Sequence, residues 1–305
     1  MHDHGHDHAH GHPPRGGEQR RLTIALLVAA VAMVAEGVGG WVSNSLALLS
    51  DAGHMMADVG AIALSLFALR IGARPADLRR TYGYYRLEIL AALVNGALLF
   101  AIAAGIAVEG WHRLAHPEPV DLRMVVALAS LGIVLNAGGM WITHAGEQAS
   151  MNLRSTFLHL AGDLLNSVGV LASAGLIAWT GRLEADPVVS FLIAATIVWS
   201  AVRLCREAVH VLLEGVPGHI AVREVSAALA QVPGVSAVHD LHVWTITSGL
   251  VALSCHIVVT CEGPGCRSHD QVLTDAKAVL RERFAIEHTT IQFESDQYRH
   301  EEVVH

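Results

Sequence analysis

Long apolar runs separated by short polar connections make up the first two thirds of the chain. The hydrocarbon core of a bilayer is about 30 Å thick, and a helix of about 20 apolar residues crosses it. Runs of this length occur six times, and each predicts a transmembrane helix. The predicted spans are Leu22–Val42, Leu46–Leu69, Leu87–Trp111, Leu122–Thr143, Thr156–Thr180 and Pro187–Leu204.

Shorter amphipathic stretches replace these runs in the last 90 or so residues. His219–Val232 and His269–Phe284 repeat apolar residues at helical spacing, whereas Val235–Thr247, Leu250–Thr260 and Thr289–Phe293 are rich in β-branched and apolar residues. These patterns are typical of helices and of strands, respectively. The predicted order, αββαβ, indicates a two-layer α+β domain with helices on one face of a sheet.

The chain therefore divides into four predicted parts. They are a His-rich disordered tail (1–20), a six-helix membrane domain (21–212), an α+β domain (213–295) and a C-terminal tail (296–305). Arginines are concentrated in alternate connections, starting with the segment before the first span. By the positive-inside rule those connections face the cytoplasm. We therefore predict that both termini and the α+β domain are cytoplasmic.

Composition supports a membrane protein and excludes one class of partner. The chain is 52% hydrophobic and 16% charged, which is too apolar for a soluble protein of 305 residues. Its net charge of -8 and the lack of a clustered basic face argue against nucleic-acid binding. Its 20 histidines indicate metal or proton chemistry, because imidazole binds metals and titrates near neutrality.

Two further features allow alternative interpretations. The stretch MHDHGHDHAHGH at residues 1–12 is typical of a metal-collecting tail, although a solvated tail without a role fits as well. Cys261 and Cys266 are joined by EGPG and form a candidate loop for zinc or copper; two reduced surface thiols are the favoured alternative. The four cysteines are too few and too unevenly placed for a disulfide framework.

Ionisable residues interrupt two of the apolar spans at the same spacing. His54 and Asp58 lie in the second span, and His159 and Asp163 lie in the fifth. Residues four apart share one helix face, and ionisable groups at membrane depth are costly and usually functional. A histidine and a carboxylate from each of two helices supply two nitrogen and two oxygen ligands, which suit tetrahedral zinc and are acceptable to cobalt or cadmium. We predict a transport site for a divalent metal ion.

Other polar residues within the spans are ambiguous in the sequence. Asp51 and Asn166 lie one turn from the two pairs and either orient the ligands or form capping or interhelical hydrogen bonds. Glu36 and Glu109 are isolated carboxylates. For both, an interfacial or hydrogen-bonded role is favoured over a place in a proton path.

Two other functions were weighed against transport. An intramembrane metal-dependent hydrolase needs an open zinc position and a general base, as in HExxH, and the sequence contains no such motif. A membrane-anchored zinc sensor, the main alternative, needs no ligands at membrane depth. We therefore predict a secondary transporter with zinc as substrate, and neither catalytic residues nor a catalytic cofactor.

Several separated motifs carry a family resemblance. They are the two HxxxD pairs, YGYYRLEILAAL at Tyr82–Leu93, and VHDLHVW with HTTIQFES in the last domain. In this order they resemble the cation diffusion facilitators, specifically their zinc-transporting branch. The resemblance implies a homodimer of six-helix protomers, a metallochaperone-like cytoplasmic domain, and zinc export by proton exchange and alternating access. In relatives that carry manganese or iron the first histidine is typically aspartate, so His54 favours zinc.

The resemblance also implies a zinc site in the cytoplasmic domain, where the metal would be a regulatory ligand. Its family positions fall on His239, His256 and Glu294. A further ligand position falls on Glu287, with His288 beside it, and either residue is able to bind zinc. Which of the two does so stays open.

We expect the protein to be an integral membrane protein. No secretory signal or transit peptide precedes the first span, which favours a bacterial inner membrane. The expected partners are a divalent metal ion, protons, lipid and a second copy of the chain.

Overall fold

The computed structural model describes residues 16–72, 74, 77–144, 151–260 and 267–295. Six long helices come first, followed by a smaller set of helices and strands. The long helices are α1 (Gly16–Ser43), α2 (Leu46–Gly72), α3 (Leu87–Ala115), α4 (Leu122–His144), α5 (Met151–Thr180) and α6 (Ala185–Leu212). The others are α7 (Val222–Ala230), β1 (Val235–Thr247), β2 (Leu250–Val259), α8 (His269–Phe284) and β3 (His288–Ser295).

Strongly apolar helices identify a membrane domain. Within the described residues, four helices are long and apolar enough to cross a bilayer: Leu87–Ala115, Leu122–His144, Thr156–Thr180 and Ala185–Leu212. The two remaining predicted spans, the first and second, are helical and lie in α1 and α2. That all six helices span the membrane remains a prediction.

One compact unit contains the residues up to Ala63 together with Asn95–Val202. Within it, α4 packs against both α1 and α5, and small residues allow the close approach. A Cβ atom on Gly139 would lie 2.9 Å from Leu160, and one on Gly132 would lie 3.0 Å from the Ser167 hydroxyl. Because 132 pairs with 167 and 139 with 160, α4 and α5 run antiparallel.

The N-terminus of α2 is capped by a residue from another helix. Asp186, at the start of α6, is 1% exposed. Its carboxylate accepts hydrogen bonds from the Ser45 hydroxyl at 2.5 Å, from the Leu46 amide at 2.7 Å and from the Ala47 amide at 3.3 Å. The first amides of a helix have no partner within the helix, so Asp186 satisfies two of them and also complements the helix dipole.

Replacing Asp186 with alanine is expected to lower the free energy of unfolding by about 2–4 kcal/mol, because it leaves buried donors without an acceptor. Thermal unfolding in detergent, followed by circular dichroism, would measure the loss as a lower Tm. Glu184→Ala is the matched control, since Glu184 is an exposed carboxylate two residues away. Equal Tm values for the two variants would contradict the capping role.

A second compact unit contains Leu64–Val94 and the residues from Arg203 onwards, and holds the sheet. The strand order is β1-β2-β3, with β1 antiparallel to β2 and β2 parallel to β3. The elements follow the predicted order αββαβ. Helix α7 is shorter than the predicted His219–Val232, and α8 matches its predicted bounds. Ser268 starts α8 through a capping box with Gln271.

The two faces of β2 have different roles because side chains alternate across a strand. Its core-facing residues pack with α7 and α8 in a single apolar cluster. They are Val251, Leu253, Cys255, Ile257 and Val259. His256 has the opposite parity and therefore lies on the other face of the sheet, which is the face that carries the polar cluster described below.

Candidate metal sites

The two HxxxD pairs meet in the first compact unit. His54 and Asp58 project from α2, and His159 and Asp163 project from α5. Asp58 Oδ2 lies 3.7 Å from His54 Nε2 and 3.7 Å from His159 Nε2, and His159 Nε2 lies 3.5 Å from Asp163 Oδ2. The two imidazole rings are 6.2 Å apart. Side chains that are distant in sequence therefore form one cluster of two nitrogen and two oxygen donors.

Successive donors in this cluster, in the order His54, Asp58, His159 and Asp163, approach the separations found around a zinc ion. Four ligands at about 2.0–2.1 Å from zinc lie about 3.3 Å from one another. The observed separations of 3.5–3.7 Å are only slightly longer. Asp163 is 1% exposed and His159 is 41% exposed, so the cluster has a closed side and an open side.

Polar residues one turn away connect the two helices behind this cluster. Asp51 on α2 is buried and accepts a hydrogen bond from the Ser167 hydroxyl on α5 at 3.5 Å. The structure therefore places Asp51 in an interhelical hydrogen bond with Ser167, which links α2 and α5 next to the candidate ligands. Asn166 lies beside Asp51 on the same side of α5.

The sequence interpretation missed Asn136. This residue on α4 is fully buried, and neither its amide oxygen nor its amide nitrogen has a hydrogen-bond partner among the described residues. The antiparallel register of α4 and α5 places it at the level of Asp163. The available signal was a single amide within the apolar run LGIVLNAGG, which alone is equally consistent with helix packing.

A second cluster lies in the other unit, on the face of the sheet opposite the apolar core. His239 on β1 pairs in register with His256 on β2, and Glu294 comes from β3. Glu294 Oε2 lies 3.1 Å from His239 Nε2, and Glu294 Oε1 lies 3.0 Å from His256 Nδ1. The potential ligand atoms of the three residues lie within 4.8 Å of one another. Two imidazoles and a carboxylate form a three-ligand set for zinc with a fourth position available.

Two neighbours shape this second cluster. Gln292 Nε2 donates to Glu294 Oε1 at 2.9 Å and holds the carboxylate in place. Asp240 Oδ2 lies 3.6 Å from His256 Nε2. A hydrogen bond from His242 holds the pKa of the Asp240 carboxyl below its usual range, so Asp240 is an ionised oxygen donor beside the site.

Asp240 was not identified from the sequence because its position depends on an irregular strand. The β1–β2 register shifts between His239 and His242, and Asp240 adopts a left-handed conformation with φ of 49°. Aspartate tolerates this conformation better than most residues. Simple alternation along a strand would have placed Asp240 on the face opposite His239.

The structure does not bring Glu287 or His288 to this cluster within one chain. Both side chains are exposed, and His288 pairs with Ala252 and contacts the ring of Tyr82 at 5.4 Å. Residues 288 and 294 are about 20 Å apart along an extended strand. That one of the two supplies the further ligand implied by the resemblance stays a prediction.

The cysteines give no additional ligand among the described residues. Cys255 points into the apolar core of the cytoplasmic domain, and burial raises the pKa of its thiol to about 11. It is therefore a neutral thiol near pH 7 and a poor metal ligand. The predicted Cys261 and Cys266 loop and the His-rich stretch at residues 1–12 lie outside the described residues.

Comparison with known proteins identifies the family. Residues 22–213 match the cation efflux transmembrane domain, and residues 217–296 match the cytoplasmic domain of cation efflux proteins. The chain belongs to the cation efflux family. Membership confirms the resemblance to the cation diffusion facilitators and makes the chain an integral membrane protein with a cytoplasmic C-terminal domain.

Similar members of the cation efflux family come from several bacteria. The chain is 40% identical over 291 residues to the metal cation efflux system protein CzcD of Cupriavidus metallidurans, covering 95% of this chain and 89% of CzcD. It is 39% identical over 293 residues to the zinc transporter ZitB of Escherichia coli K12, covering 95% of this chain and 92% of ZitB. It is 35% identical over 298 residues to the cadmium, cobalt and zinc/H(+)-K(+) antiporter of Bacillus subtilis, covering 95% of this chain and 93% of the antiporter.

Family membership decides between the functional alternatives at a coarse level. Cation efflux proteins are metal transporters, which supports transport over the intramembrane hydrolase and over a sensor whose helices serve only as an anchor. The matches extend over the membrane helices as well as the cytoplasmic domain. Both the membrane helices and the cytoplasmic domain therefore belong to the cation efflux family.

Proposed function

We propose that this protein exports zinc in exchange for protons, with cadmium and cobalt as further cargo. The observation that carries the proposal is the convergence of four donor atoms from His54, Asp58, His159 and Asp163 at separations of 3.5–3.7 Å. An ion at this depth needs protein ligands in place of its hydration shell. The cluster supplies four such ligands, and successive donors approach the separation expected around a tetrahedral metal.

The choice of metal rests on the ligand types. Two imidazoles and two carboxylates suit zinc, and cobalt and cadmium accept the same donors. The similar proteins of Escherichia coli K12 and Bacillus subtilis are named for zinc, and for cadmium, cobalt and zinc, respectively, which supports this cargo range. His54 distinguishes the set from an all-oxygen arrangement on α2, which would favour harder ions such as manganese.

Proton exchange follows from the chemistry of the same ligands. Imidazole and carboxylate must be deprotonated to bind a metal, so arrival of the ion releases protons and its departure readmits them. About two protons per zinc would allow an inward proton gradient to drive export. In this scheme the helices carrying the ligands alternate between an inward-facing and an outward-facing arrangement, and no state holds the metal and its full proton load together.

The proposed topology has six spans with both termini in the cytoplasm of a bacterial inner membrane. Exposed tryptophans at both ends of the helices support it, because tryptophan is enriched at both membrane interfaces. Trp41, Trp111 and Trp179 lie near the C-terminal ends of α1, α3 and α5, and Trp141 lies near the C-terminal end of α4. With alternating helix directions, these positions fall at two opposite levels.

The proposed assembly is a homodimer whose cytoplasmic domains respond to zinc. The match to a cation efflux cytoplasmic domain supports this arrangement. The regulatory ion would bind His239, His256 and Glu294, with Asp240 as a nearby oxygen donor. Bound metal alters the transport cycle only if it binds one arrangement of the domains more tightly than the other.

The direct test is proton release driven by zinc in sealed proteoliposomes. Purified protein is reconstituted with a pH indicator and a zinc indicator in the lumen, and zinc is added outside. Zinc entry should be accompanied by proton exit, and an imposed pH gradient should drive zinc flux in a direction set by its sign. Zinc flux that is independent of the pH gradient and is accompanied by no proton movement would refute the proposed exchange.

His54→Asp tests the metal assignment with the same vesicles. Replacing the first imidazole with a carboxylate should raise manganese flux relative to zinc flux by about 10-fold or more, the scale on which changes around a metal alter its affinity. Zinc flux itself should fall less. An unchanged manganese-to-zinc ratio would show that His54 does not set selectivity.

A further inference from the structure

Glu36 is a buried carboxylate that the metal site does not use. It lies on α1 and is 1% exposed. No backbone amide, hydroxyl or side-chain N–H in the described part of the chain donates a hydrogen bond to either of its carboxylate oxygens. Glu109, the other isolated carboxylate noted in the sequence, is paired with Arg113 at 2.8 Å. Glu36 therefore lacks a conventional hydrogen-bond donor in the described residues.

The nearest hydrogen-bonding neighbour of Glu36 is another acid. The carboxyl of Asp51 on α2 lies within hydrogen-bonding reach of it. Gly132 on α4 also lies against this carboxyl, since a Cβ atom there would overlap Glu36 Oε1. Two carboxyl groups form a hydrogen bond only when one of them carries a proton. The contact is therefore a place where a proton can be held between α1 and α2.

Burial favours the same conclusion. An ionised carboxylate without a donor or counter-ion is strongly disfavoured away from water, and it takes up a proton or a cation instead. No lysine or arginine faces the pair from α2, α4 or α5 in the described residues. The side chains that act on the two carboxyls are Asp163, Asn166 and Ser167, all on α5.

We propose that Glu36 and Asp51 form a second proton-binding site behind the metal site, and that one exchanged proton is carried there. Glu36 lies on a different helix from the four candidate ligands and shares no hydrogen bond with them in the described residues. Asp163 is close enough for its charge to act on both carboxyls. A divalent ion at Asp163 favours ionisation of the pair, so the proton leaves to water. When the ion departs, the proton returns.

This inference rests on the proposed exchange and is tested by counting protons. Glu36→Gln replaces the acid by a neutral side chain of the same shape that cannot release a proton. In proteoliposomes, the proton-to-zinc ratio should fall by about one relative to the native chain, while zinc affinity stays within about twofold. Glu207→Gln is the matched control, because Glu207 is exposed and paired with Arg203 far along α6. The proton-to-zinc ratio of the Glu207→Gln variant should stay at the native value.

Infrared difference spectroscopy gives an independent readout on detergent-solubilised protein. Adding zinc to the native chain should remove a protonated-carboxyl band, and the Glu36→Gln variant should lack that part of the difference signal. Glu36→Asp restores a titratable group and should restore the band. If Glu36→Gln yields no monodisperse protein, Asp51→Asn carries the same test, because it removes the other carboxyl.

The outcomes separate this proposal from the exchange itself. A native protein that moves zinc without protons would overturn the proposed function. A native protein that exchanges protons, with an unchanged proton-to-zinc ratio and an unchanged zinc-induced carboxyl signal in Glu36→Gln, would overturn the second proton site alone.

Discussion

Replacing Asp58 and Asp163 together by alanine is expected to reduce zinc flux in proteoliposomes to below about one-hundredth of the native rate. The double variant removes both oxygen donors from the cluster on α2 and α5. Loss of a group that merely supports a metal ligand costs about 10–100-fold in affinity, and loss of two ligands should cost more. Zinc entry into vesicles at a fixed pH gradient measures the effect.

The matched control for this variant removes two exposed carboxylates elsewhere. Glu184→Ala with Glu207→Ala makes the same change in charge and keeps His54, Asp58, His159 and Asp163 in place. It should retain zinc flux close to the native rate. If the Asp58 and Asp163 double variant also kept full flux, the assignment of the cluster as the transport site would be wrong.

The second large effect is expected at Glu294, where a glutamine should lower zinc affinity of the cytoplasmic domain by about 10–100-fold or more. The Glu294 side chain is 2% exposed and faces both His239 and His256 at 3.0–3.1 Å. Glutamine keeps the shape of the side chain and removes its negative charge. Titration calorimetry in the Asp58→Ala, Asp163→Ala background isolates the cytoplasmic site from the transport site.

Glu224→Gln provides the comparison for this titration. Glu224 is an exposed carboxylate in α7 of the same domain, so its loss changes the net charge without touching the cluster. The zinc affinity of the Glu224→Gln variant should match that of the Asp58→Ala, Asp163→Ala protein. Identical affinities in the Glu294→Gln and Glu224→Gln variants would exclude Glu294 as a ligand.

The candidate transport site was accessible from the sequence because helical spacing is regular. A histidine and an aspartate four residues apart must share a helix face, and two such pairs within apolar runs have few other uses. The sequence does not state how α4 packs on α5. Asn136 and Glu36 therefore became informative only when Gly132 and Gly139 showed which residues face each other.

The cytoplasmic domain shows a different limit of sequence reasoning. The order of its helices and strands follows from periodicity, and the core positions of β2 follow from alternation. The position of the Asp240 side chain depends on a register shift and on a left-handed backbone conformation. Neither feature produces a periodic pattern in the sequence. A local irregularity thus places an acidic side chain beside His256.

The cap that Asp186 provides at the start of α2 fixes the N-terminal end of that helix, so a tilt of the helix would pivot about this end. His54 and Asp58 are 9 and 13 residues beyond Ser45, which corresponds to arms of about 13 Å and 20 Å at 1.5 Å per residue. A tilt of 10° about the fastened end would move them by about 2 Å and 3 Å. Such displacements are large beside a metal–ligand bond of about 2 Å. A tilt of this size in α2 would therefore be enough to separate the two α2 ligands of the proposed site from those on α5.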